Sequence, residues 1–384
     1  MTDEARQSIE TARRKVTGKT KAPLWAVLFE SLVRGITGAV ILVLFFLMGT
    51  ILVRGGGQIT PEFLLQAPRD GMTAGGIFPA IMGTFFVVLF MIVMALPLGV
   101  FGAVYMVEYS KGGIMSRIIR AAVNNLAGVP SIVFGLFGLG FFVLFVGRNL
   151  DHHIYGVPRT AEEVQAVQAE MAPLQAEARE EAINLADERG ITDPAELDAF
   201  VEAYVEEQTP PVPRTVFGQG AMFWAAATLA ILVLPFIIVA TEEALRAVPP
   251  STREAAYGLG ATRWQVISTV VLPQAKPGIL TGAILAVARG AGELAPILFV
   301  GVTFFTPGLP LTEPVNFGLF SVPVVNPFEE FMHLNYHIYT MATQHHDPIG
   351  TRGIQFGTTL VLVALTFVMN LMAIVLRRRY SKKS

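Results

Sequence analysis

Six long apolar runs separate the polar segments of this 384-residue chain, and they constrain its fold more than any other feature. Each run can cross a bilayer core of about 30 Å as a helix, which satisfies its own backbone hydrogen bonds there. Hydrophobic residues make up 53% of the chain and charged residues 15%, against about 25% charged in globular proteins. The sequence therefore predicts an all-α integral membrane protein. The six runs lie near 35–53, 77–106, 124–147, 219–240, 278–304 and 354–376.

The basic residues predict which way the six spans run. Lys and Arg in short segments beside membrane helices stay preferentially on the cytoplasmic side. With six spans, four basic segments fall on one side: 1–31, 108–123, 241–276 and 377–384. The first and last loops of the other side hold only Arg54, Arg69 and Arg352. We therefore expect both termini in the cytoplasm, with 1–31 as a polar arm and 377–384 as a basic tail.

The polar segment 241–273, between the fourth and fifth spans, predicts a compact helix–turn–helix. Pro249-Pro250 cannot continue the helix that leaves the fourth span. Gly258 and Gly260 tolerate the left-handed conformation of a C-cap and are expected to end the first short helix. The second helix is expected to end before Pro273.

Two capping boxes support these short helices. In such a box, a Ser or Thr side chain and a Glu or Gln three residues later satisfy each other's backbone N–H groups. Ser251 pairs in this way with Glu254, and Thr262 with Gln265. The outer surface of the segment is expected to carry Arg253, Arg263 and Trp264.

Two charges stand inside the fifth apolar run. Arg289 and Glu293 are four residues apart and would share one face of a helix. A charge near the bilayer centre costs about 2.5–3.5 kcal/mol on insertion scales, and such residues usually pair and face the bundle interior. The pair can simply neutralise itself so that the helix inserts. Alternatively, Arg289 offers donors to a passing oxyanion, Glu293 holds it in place, and the small residues 290–292 leave room.

Residues 148–216 form an acidic insertion on the outer side. Thr160 and Glu163 make a capping box, and apolar residues follow at heptad spacing up to Gly190. A second helix starts at Asp193. We expect a helical hairpin outside the membrane, which either contacts an extracytoplasmic partner or has no role of its own. The expected apolar faces are Val164, Val167, Met171, Leu174 and Ala178, and Leu197, Phe200, Val201 and Tyr204; Pro210, Pro211 and Pro213 are expected to end the second helix.

The last outer loop, 305–352, is rich in proline, aromatic residues and histidine. His333 and His337 are four residues apart, and His345-His346-Asp347 follow, a spacing that could suit a metal. The favoured interpretation is an interfacial segment near the lipid headgroups. Its aromatic residues would be Phe328, Phe331, Tyr336 and Tyr339.

Composition excludes several chemistries. The chain has no cysteine, so disulfides, thiolate metal sites and thiol nucleophiles are excluded. It has no Walker A loop, so it is not expected to hydrolyse ATP. The net charge of −2 indicates no partner by itself, and the polar first residues lack a cleavable signal pattern. We expect no catalytic residue, no metal and no cofactor.

The polar loop resembles the EAA signature of ABC-importer permeases. That signature reads EAA, three residues, Gly, nine residues, Ile, one residue, Leu-Pro. This chain has Glu254-Ala255-Ala256, Gly260, Val270 in place of Ile, and Leu272-Pro273. The resemblance implies a coupling loop that docks in a cleft of a separate ATPase. Its residues would be Arg253, Glu254, Ala255, Ala256, Gly260, Leu272 and Pro273.

Other stretches resemble the phosphate-importer permeases of the PstA type. They are 288–296, 126–136, and Leu98-Gly99 with Glu108-Tyr109, while Leu294 departs from the Thr often found in that family. The likeness covers most of the chain outside 148–216. It implies a six-helix type I (MetI-like) permease bundle, with spans in 32–147 and 217–376 and with Arg289 and Glu293 on the substrate pathway.

The resemblance also implies an assembly in the bacterial inner membrane. It would contain a second homologous permease, two ATPase subunits and an extracytoplasmic phosphate-binding protein, with no nucleic acid. ATP bound at the motor would drive two domains to rock, so that the substrate gains alternating access.

Three alternatives stay open. The same architecture could move another oxyanion, such as sulfate, molybdate or phosphonate. A secondary transporter would show inverted repeats and midplane acids on several helices, and neither is evident. A membrane scaffold built around the acidic insertion would leave the EAA signature unexplained.

Overall fold

The computed structural model describes residues 24–110, 113–191, 193–209, 215–306, 315–316, 321–322 and 325–381. Six helical stretches in these residues are long and apolar enough to cross a membrane, which confirms the predicted bundle. They cover Leu24–Gly56, Phe78–Tyr109, Ser131–Tyr155, Met222–Arg246, Arg263–Gly292 and Arg352–Arg379.

We number the elements in chain order. The helices are α1 (Leu24–Gly56), α2 (Pro61–Leu65), α3 (Phe78–Val104), α4 (Ile114–Leu126), α5 (Ser131–Phe137), α6 (Arg148–Tyr155), α7 (Ala161–Glu188), α8 (Pro194–Gln208), α9 (Met222–Arg246), α10 (Pro250–Gly258), α11 (Arg263–Gln265), α12 (Leu272–Gly292), α13 (Leu334–Thr343) and α14 (Arg352–Ser381). π-Helical stretches follow α3 (Tyr105–Tyr109), join α5 to α6 (Gly138–Gly147) and join α11 to α12 (Val266–Val271).

Two small antiparallel hairpins lie in the loops that the structure describes. Strands β1 (Pro68–Arg69) and β2 (Ala74–Gly75) pair with Pro68 opposite Gly75, and β3 (Val315–Asn316) pairs with β4 (Ser321–Val322). They are too short to change the helical character of the bundle.

Helix α9 is the centre of the bundle. It packs against α3 on one side and α12 on the other, and the largest apolar cluster contains residues of all three, including Met91, Leu229 and Ala286. Small residues allow α9 and α12 to approach closely. A Cβ atom at Gly278 would lie 2.4 Å from Ala244 Cβ, and one at Gly282 would lie 2.7 Å from Ala240 Cβ. This is the small-residue packing by which membrane helices associate.

The fifth span differs from its predicted limits of 278–304. Its helix begins at Arg263 in the polar loop, runs through Pro273 and ends at Gly292. The π-helical stretch Val266–Val271 already departs from the α-helical hydrogen-bond pattern, so a proline directly after it is accommodated. Pro296 disfavours the helical conformation at the preceding residue, which keeps the helix from resuming.

Several other boundaries also differ. Helix α1 begins at Leu24, inside the segment predicted as an arm, whose first 23 residues lie outside the described part of the chain. The third span runs to Tyr155, eight residues past its predicted end, and stops at Gly156 with φ 68°. Helix α14 continues into the predicted tail as far as Ser381.

Of the three predicted capping boxes, one is absent and two are present. Helix α10 begins at Pro250, so Ser251 lies in its first turn and makes no cap with Glu254. The fixed φ of a proline suits the first helical position, which moves the start one residue earlier. The boxes Thr160–Glu163 and Thr262–Gln265 are both present.

The acidic insertion contains two antiparallel helices, α7 and α8, here called the hairpin. Asp193 caps α8 by accepting the N–H groups of Ala195 and Glu196. Only part of the predicted apolar face is covered, because Ala178 is 7% exposed whereas Val164 is 37% exposed. The residues Pro210, Pro211 and Pro213 lie outside the described part of the chain.

Residues 325–335, here called the strap, run back into the bundle instead of lying at the lipid interface. Phe331, expected near the headgroups, is fully buried. Its N–H donates to the carbonyl of Gly301 at 3.1 Å, and its carbonyl accepts from the N–H of Thr303 at 2.9 Å. Leu334 N–H donates to Thr84 Oγ1 at 3.0 Å. Non-helical backbone inside a membrane protein needs such internal partners.

A buried carboxylate anchors the end of the bundle that carries the hairpin. Asp151 of α6 is fully buried and accepts the backbone N–H groups of Val216, Phe217 and Gly218 at 2.6–3.2 Å. These three residues lead from the hairpin into α9. Asp151 therefore ties the third span to the start of the fourth.

We expect Asp151→Ala to lower the free energy of unfolding by roughly 2–3 kcal/mol, because three partly buried N–H groups lose a charged acceptor. The midpoint of thermal unfolding in detergent micelles would measure the change. Asp187→Ala, at an exposed position of α7, is the matched control and should shift stability by less than about 0.5 kcal/mol. Equal midpoints for the two variants would contradict the anchoring role.

Candidate functional site

Arg289 lies in the last turn of α12, and Glu293 directly follows the helix. Glu293 has an extended backbone, with ψ 132°, so the two residues do not share a helical face as the sequence suggested. The side chains still pair, with 3.2 Å between Arg289 Nη2 and Glu293 Oε1. The contact is therefore present, although the helix ends one residue too early for the predicted geometry.

The guanidinium of Arg289 is oriented by two contacts, with Glu293 and with Phe236, and part of it is accessible to solvent. Its Cζ lies 5.0 Å from the ring centroid of Phe236 in α9, and an aromatic face attracts a cation at this distance. The Arg289 side chain is nevertheless 43% exposed, whereas Glu293 is 19% exposed. The arrangement thus leaves oriented donors accessible beside the bundle core.

The small residues next to Arg289 do not all leave open space. A Cβ at Gly290 would lie 2.3 Å from the sulfur of Met91, so Gly290 serves close packing of α12 on α3. Ala291 is fully buried. A Cβ at Gly292 would meet no atom within 4 Å. Only Gly292, of these three, provides the room expected from the sequence.

Asn335 of α13 holds the end of the broken helix. Its side-chain Nδ2 donates to the carbonyl of Ala291 at 3.2 Å. The last carbonyls of a helix lack intrahelical partners and need such donors when they are buried. No sequence pattern signals this contact, because Asn335 lies 44 positions away, in the segment predicted as the last outer loop.

The two histidines of the loop are structural groups in the interior. Burial lowers the pKa of His333 to about 3 and that of His337 to about 4, so both are neutral at pH 7. His333 Nδ1 accepts the N–H of Asn335 at 3.2 Å, and His337 Nδ1 lies 3.3 Å from Thr358 Oγ1. In the described residues, no three His, Asp or Glu side chains form a group that could hold a metal ion.

Helices α10 and α11 form the EAA loop at the other end of the bundle. Gly260, with φ 82°, makes the turn between them in a left-handed conformation that favours glycine. Glu254 and Ala255 are exposed, and Ala256 is half-buried. Leu259 is 90% and Trp264 53% exposed. Large apolar side chains grouped on an exposed loop are typical of an interaction surface.

Arg253 does not lie on the outer surface of this loop as predicted. It forms an ion pair with Glu108 and donates to the carbonyl of Leu245 at 2.5 Å. Glu108 is 8% exposed and belongs to the π-helical end of the second span. The pair therefore fastens α10 to the second span, because the guanidinium finds two acceptors on the permease itself. Sequence reasoning noted Glu108 only as part of a likeness and missed this role.

Arg263, the other predicted surface base, is exposed as predicted, but its side chain also contacts the second span. Its Cζ lies 4.7 Å from the ring centroid of Tyr109. Two neighbouring residues at the end of the second span are thus contacted from the EAA loop: Glu108 by Arg253 of α10, and Tyr109 by Arg263 of α11. A movement of the EAA loop must move the end of the second span or break these contacts.

One continuous helical path joins the EAA loop to the charge pair. Leu272 and Pro273 are half-buried within it. Sixteen residues separate Pro273 from Arg289, which is about 24 Å along a helix. The structure therefore does not bring the predicted site residues together in one place. It connects two groups through the fifth span.

Residues 95–382 match the family described as "Binding-protein-dependent transport system inner membrane component". The chain is 29% identical over 362 residues to the probable ABC transporter permease protein YqgI of Bacillus subtilis, covering 94% of this chain and 95% of that protein. It is 30% identical over 259 residues to phosphate transport system permease protein PstA 1 of Mycobacterium tuberculosis, covering 66% of this chain and 62% of that protein.

Among solved structures, the fold is similar to a chain of a bacterial alginate ABC transporter in complex with an alginate pentasaccharide-bound periplasmic protein. The TM-score is 0.53 at 16% identity, and the match covers 94% of this chain and 98% of that chain. At this identity the likeness concerns the fold alone.

Proposed function

Because the chain belongs to the binding-protein-dependent transport system inner membrane component family, it is a permease subunit of an ABC importer, and we propose that its substrate is inorganic phosphate. It is a multi-pass membrane subunit that transports and does not catalyse. One permease forms half of a translocation pathway.

The observation that carries the proposal is the half-exposed guanidinium of Arg289 at the end of a broken membrane helix. A planar guanidinium suits the bidentate geometry of phosphate oxygens. Glu293 and Phe236 orient it, and the neighbouring carboxylate lowers the net attraction for an anion. A pathway needs binding that is favourable enough to enter and weak enough to leave. The likeness to PstA proteins supports phosphate over other oxyanions.

The EAA loop supports coupling to a separate ATPase. Its exposed apolar side chains, Leu259 and Trp264, and the exposed Glu254 and Ala255 offer a surface that the rest of the described chain does not cover. Arg253 would act from the other side of α10, by holding it to the second span. The shape of the loop would depend on Gly260 and Ala256. Its movement would be transmitted to the fifth span through Leu272 and Pro273.

The proposed assembly contains this chain, a second homologous permease, two ATPase subunits and an extracytoplasmic phosphate-binding protein. The basic segments support an orientation with both termini and the EAA loop on the cytoplasmic side of a bacterial inner membrane. The hairpin is then extracytoplasmic. Binding of ATP would close the ATPase subunits, and the EAA loop would carry that motion along the fifth span toward Arg289.

Uptake of labelled phosphate tests the function. Vesicles would hold this chain with its partner permease and ATPase, with ATP inside and the binding protein outside. We expect ATP-dependent phosphate uptake that sulfate and molybdate do not inhibit. Uptake of sulfate or molybdate but not of phosphate would be consistent with an ABC importer and would contradict the proposal that phosphate is its substrate. Uptake without ATP dependence would indicate a secondary transporter instead.

A further inference from the structure

The hairpin helices pack on each other over only part of α7. The contact is a seam of small residues in the second half of α7, buried together with Val201 of α8. Its alanines are Ala178, Ala182 and Ala186, which are 7%, 0% and 0% exposed. The half of α7 that is nearer the membrane bundle lacks this partner.

Helix lengths explain why the seam stops. Helix α7 has 28 residues and α8 has 15, which correspond to about 42 Å and 22 Å. Because α8 runs antiparallel to α7 after the turn at Arg189–Gly190, it ends about level with Leu174. Below that level α7 continues for more than three turns toward its start at Ala161.

This uncovered half presents an apolar stripe. Val164, Val167, Met171 and Leu174 follow the three-and-four spacing that puts residues on one face of a helix. Val164 is 37% and Leu174 42% exposed, and the two between them are half-buried. A stripe at coiled-coil spacing is suited to pack against another ridge of side chains.

A row of carboxylates borders one edge of the stripe. Glu163, Glu170 and Glu177 recur every seven residues, next to the stripe positions, and all three are exposed. Residues 161–174 contain no Lys or Arg. Residues 161–208 contain fourteen acidic and two basic residues. Such an edge repels the anionic surface of a membrane and selects a partner whose apolar ridge is flanked by Lys or Arg.

We propose that the stripe of Val164, Val167, Met171 and Leu174 with its carboxylate edge is a docking surface for the extracytoplasmic binding protein. This rests on the proposed function. The hairpin precedes α9 and the EAA loop follows it, so the two lie at opposite ends of one span. The binding protein delivers substrate at the end opposite the ATPase. The partner surface is therefore an apolar ridge with a basic rim on that protein.

The test measures affinity in the complete transporter, reconstituted in nanodiscs, for purified phosphate-loaded binding protein. In Val167→Ser/Leu174→Ser, we expect the Kd to rise at least tenfold. In Glu170→Lys/Glu177→Lys, we expect a similar rise in the Kd. We also expect the Kd to increase with salt concentration in the unaltered complex and to lose this dependence in the variant. Uptake at saturating binding protein should remain near that of the unaltered complex, because the pathway is unchanged.

Ile183→Ser, at an exposed position of α7 outside the stripe, and Glu180→Lys are the matched controls and should leave the Kd unchanged. An unchanged Kd in the stripe variants would overturn the proposal and leave the function intact. A lower unfolding temperature of the permease alone, or loss of the partner permease on purification, would also overturn it, since the stripe would then be covered within the membrane complex. Failure of the unaltered complex to bind the protein would instead contradict the proposed function.

Discussion

Replacing Arg289 with glutamine is expected to abolish phosphate uptake while the complex still assembles. Glutamine keeps a hydrogen-bond donor but loses the positive charge, and charge-assisted bonds to an oxyanion are about twice as strong as neutral ones. The change also leaves Glu293, 19% exposed, without its cation. We expect uptake to fall at least a hundredfold, equivalent to about 2.7 kcal/mol.

The measurement is ATP-dependent uptake in vesicles, with co-purification of the ATPase and partner permease as the check on assembly. Arg246→Gln is the matched control, because Arg246 pairs with Glu242 at 2.8 Å and is 55% exposed. Glu242 is 12% exposed and would keep its second ion pair, with Arg120 at 2.8 Å, so no buried charge is left unpaired. Normal uptake by Arg289→Gln would refute a pathway role and leave the pair as a device for membrane insertion.

Glu108→Gln is expected to uncouple ATP hydrolysis from transport. The carboxylate of Glu108 is nearly buried against Arg253, and removing one partner of a buried ion pair costs roughly 3–5 kcal/mol, because a charge is left unpaired. Arg253 would keep only its bond to the Leu245 carbonyl. Helix α10 could then move with the ATPase without moving the second span. We expect uptake to fall at least tenfold while ATP hydrolysis by the complex persists.

Parallel assays of phosphate uptake and ATP hydrolysis measure this uncoupling. Glu243→Gln is a matched control, since it makes the same chemical change at an exposed position near the same end of the bundle. The exchange Glu108→Arg with Arg253→Glu should restore part of the uptake, because it rebuilds the ion pair without the bond to Leu245. If Glu108→Gln lowered hydrolysis and uptake in the same proportion, the pair would be a stabilising contact and not a link in coupling.

The spans could be predicted because each run of apolar side chains reports directly on burial in lipid. The fifth span shows that hydropathy does not predict where the helix begins and ends. Its helix starts among the polar residues of the EAA loop and passes Pro273, since the π-helical turn before it absorbs the proline. It stops at Gly292, although the apolar run continues to 304. Hydropathy records the environment of a segment, not whether its backbone is helical.

The site residues likewise fall into two groups: those marked by a local sequence pattern and those defined only by long-range contacts. The spacing around Glu254 and the charges at Arg289 and Glu293 are local, so the sequence pointed to them. Glu108 and Asn335 act on groups 145 and 44 positions away. Contacts at such separations depend on how α3, α12 and the strap pack together. No periodicity in a single chain encodes that packing.

The carboxylate of Asp151 also has a consequence for anion binding by the backbone around it. Three successive backbone N–H groups, those of Val216, Phe217 and Gly218, converge on it. Such a concavity of amides is an anion trap in many proteins. If phosphate is the substrate, as proposed, an empty concavity of this kind would compete with Arg289 for the ion. Because the carboxylate of Asp151 already occupies it, these three N–H groups offer no second anion site.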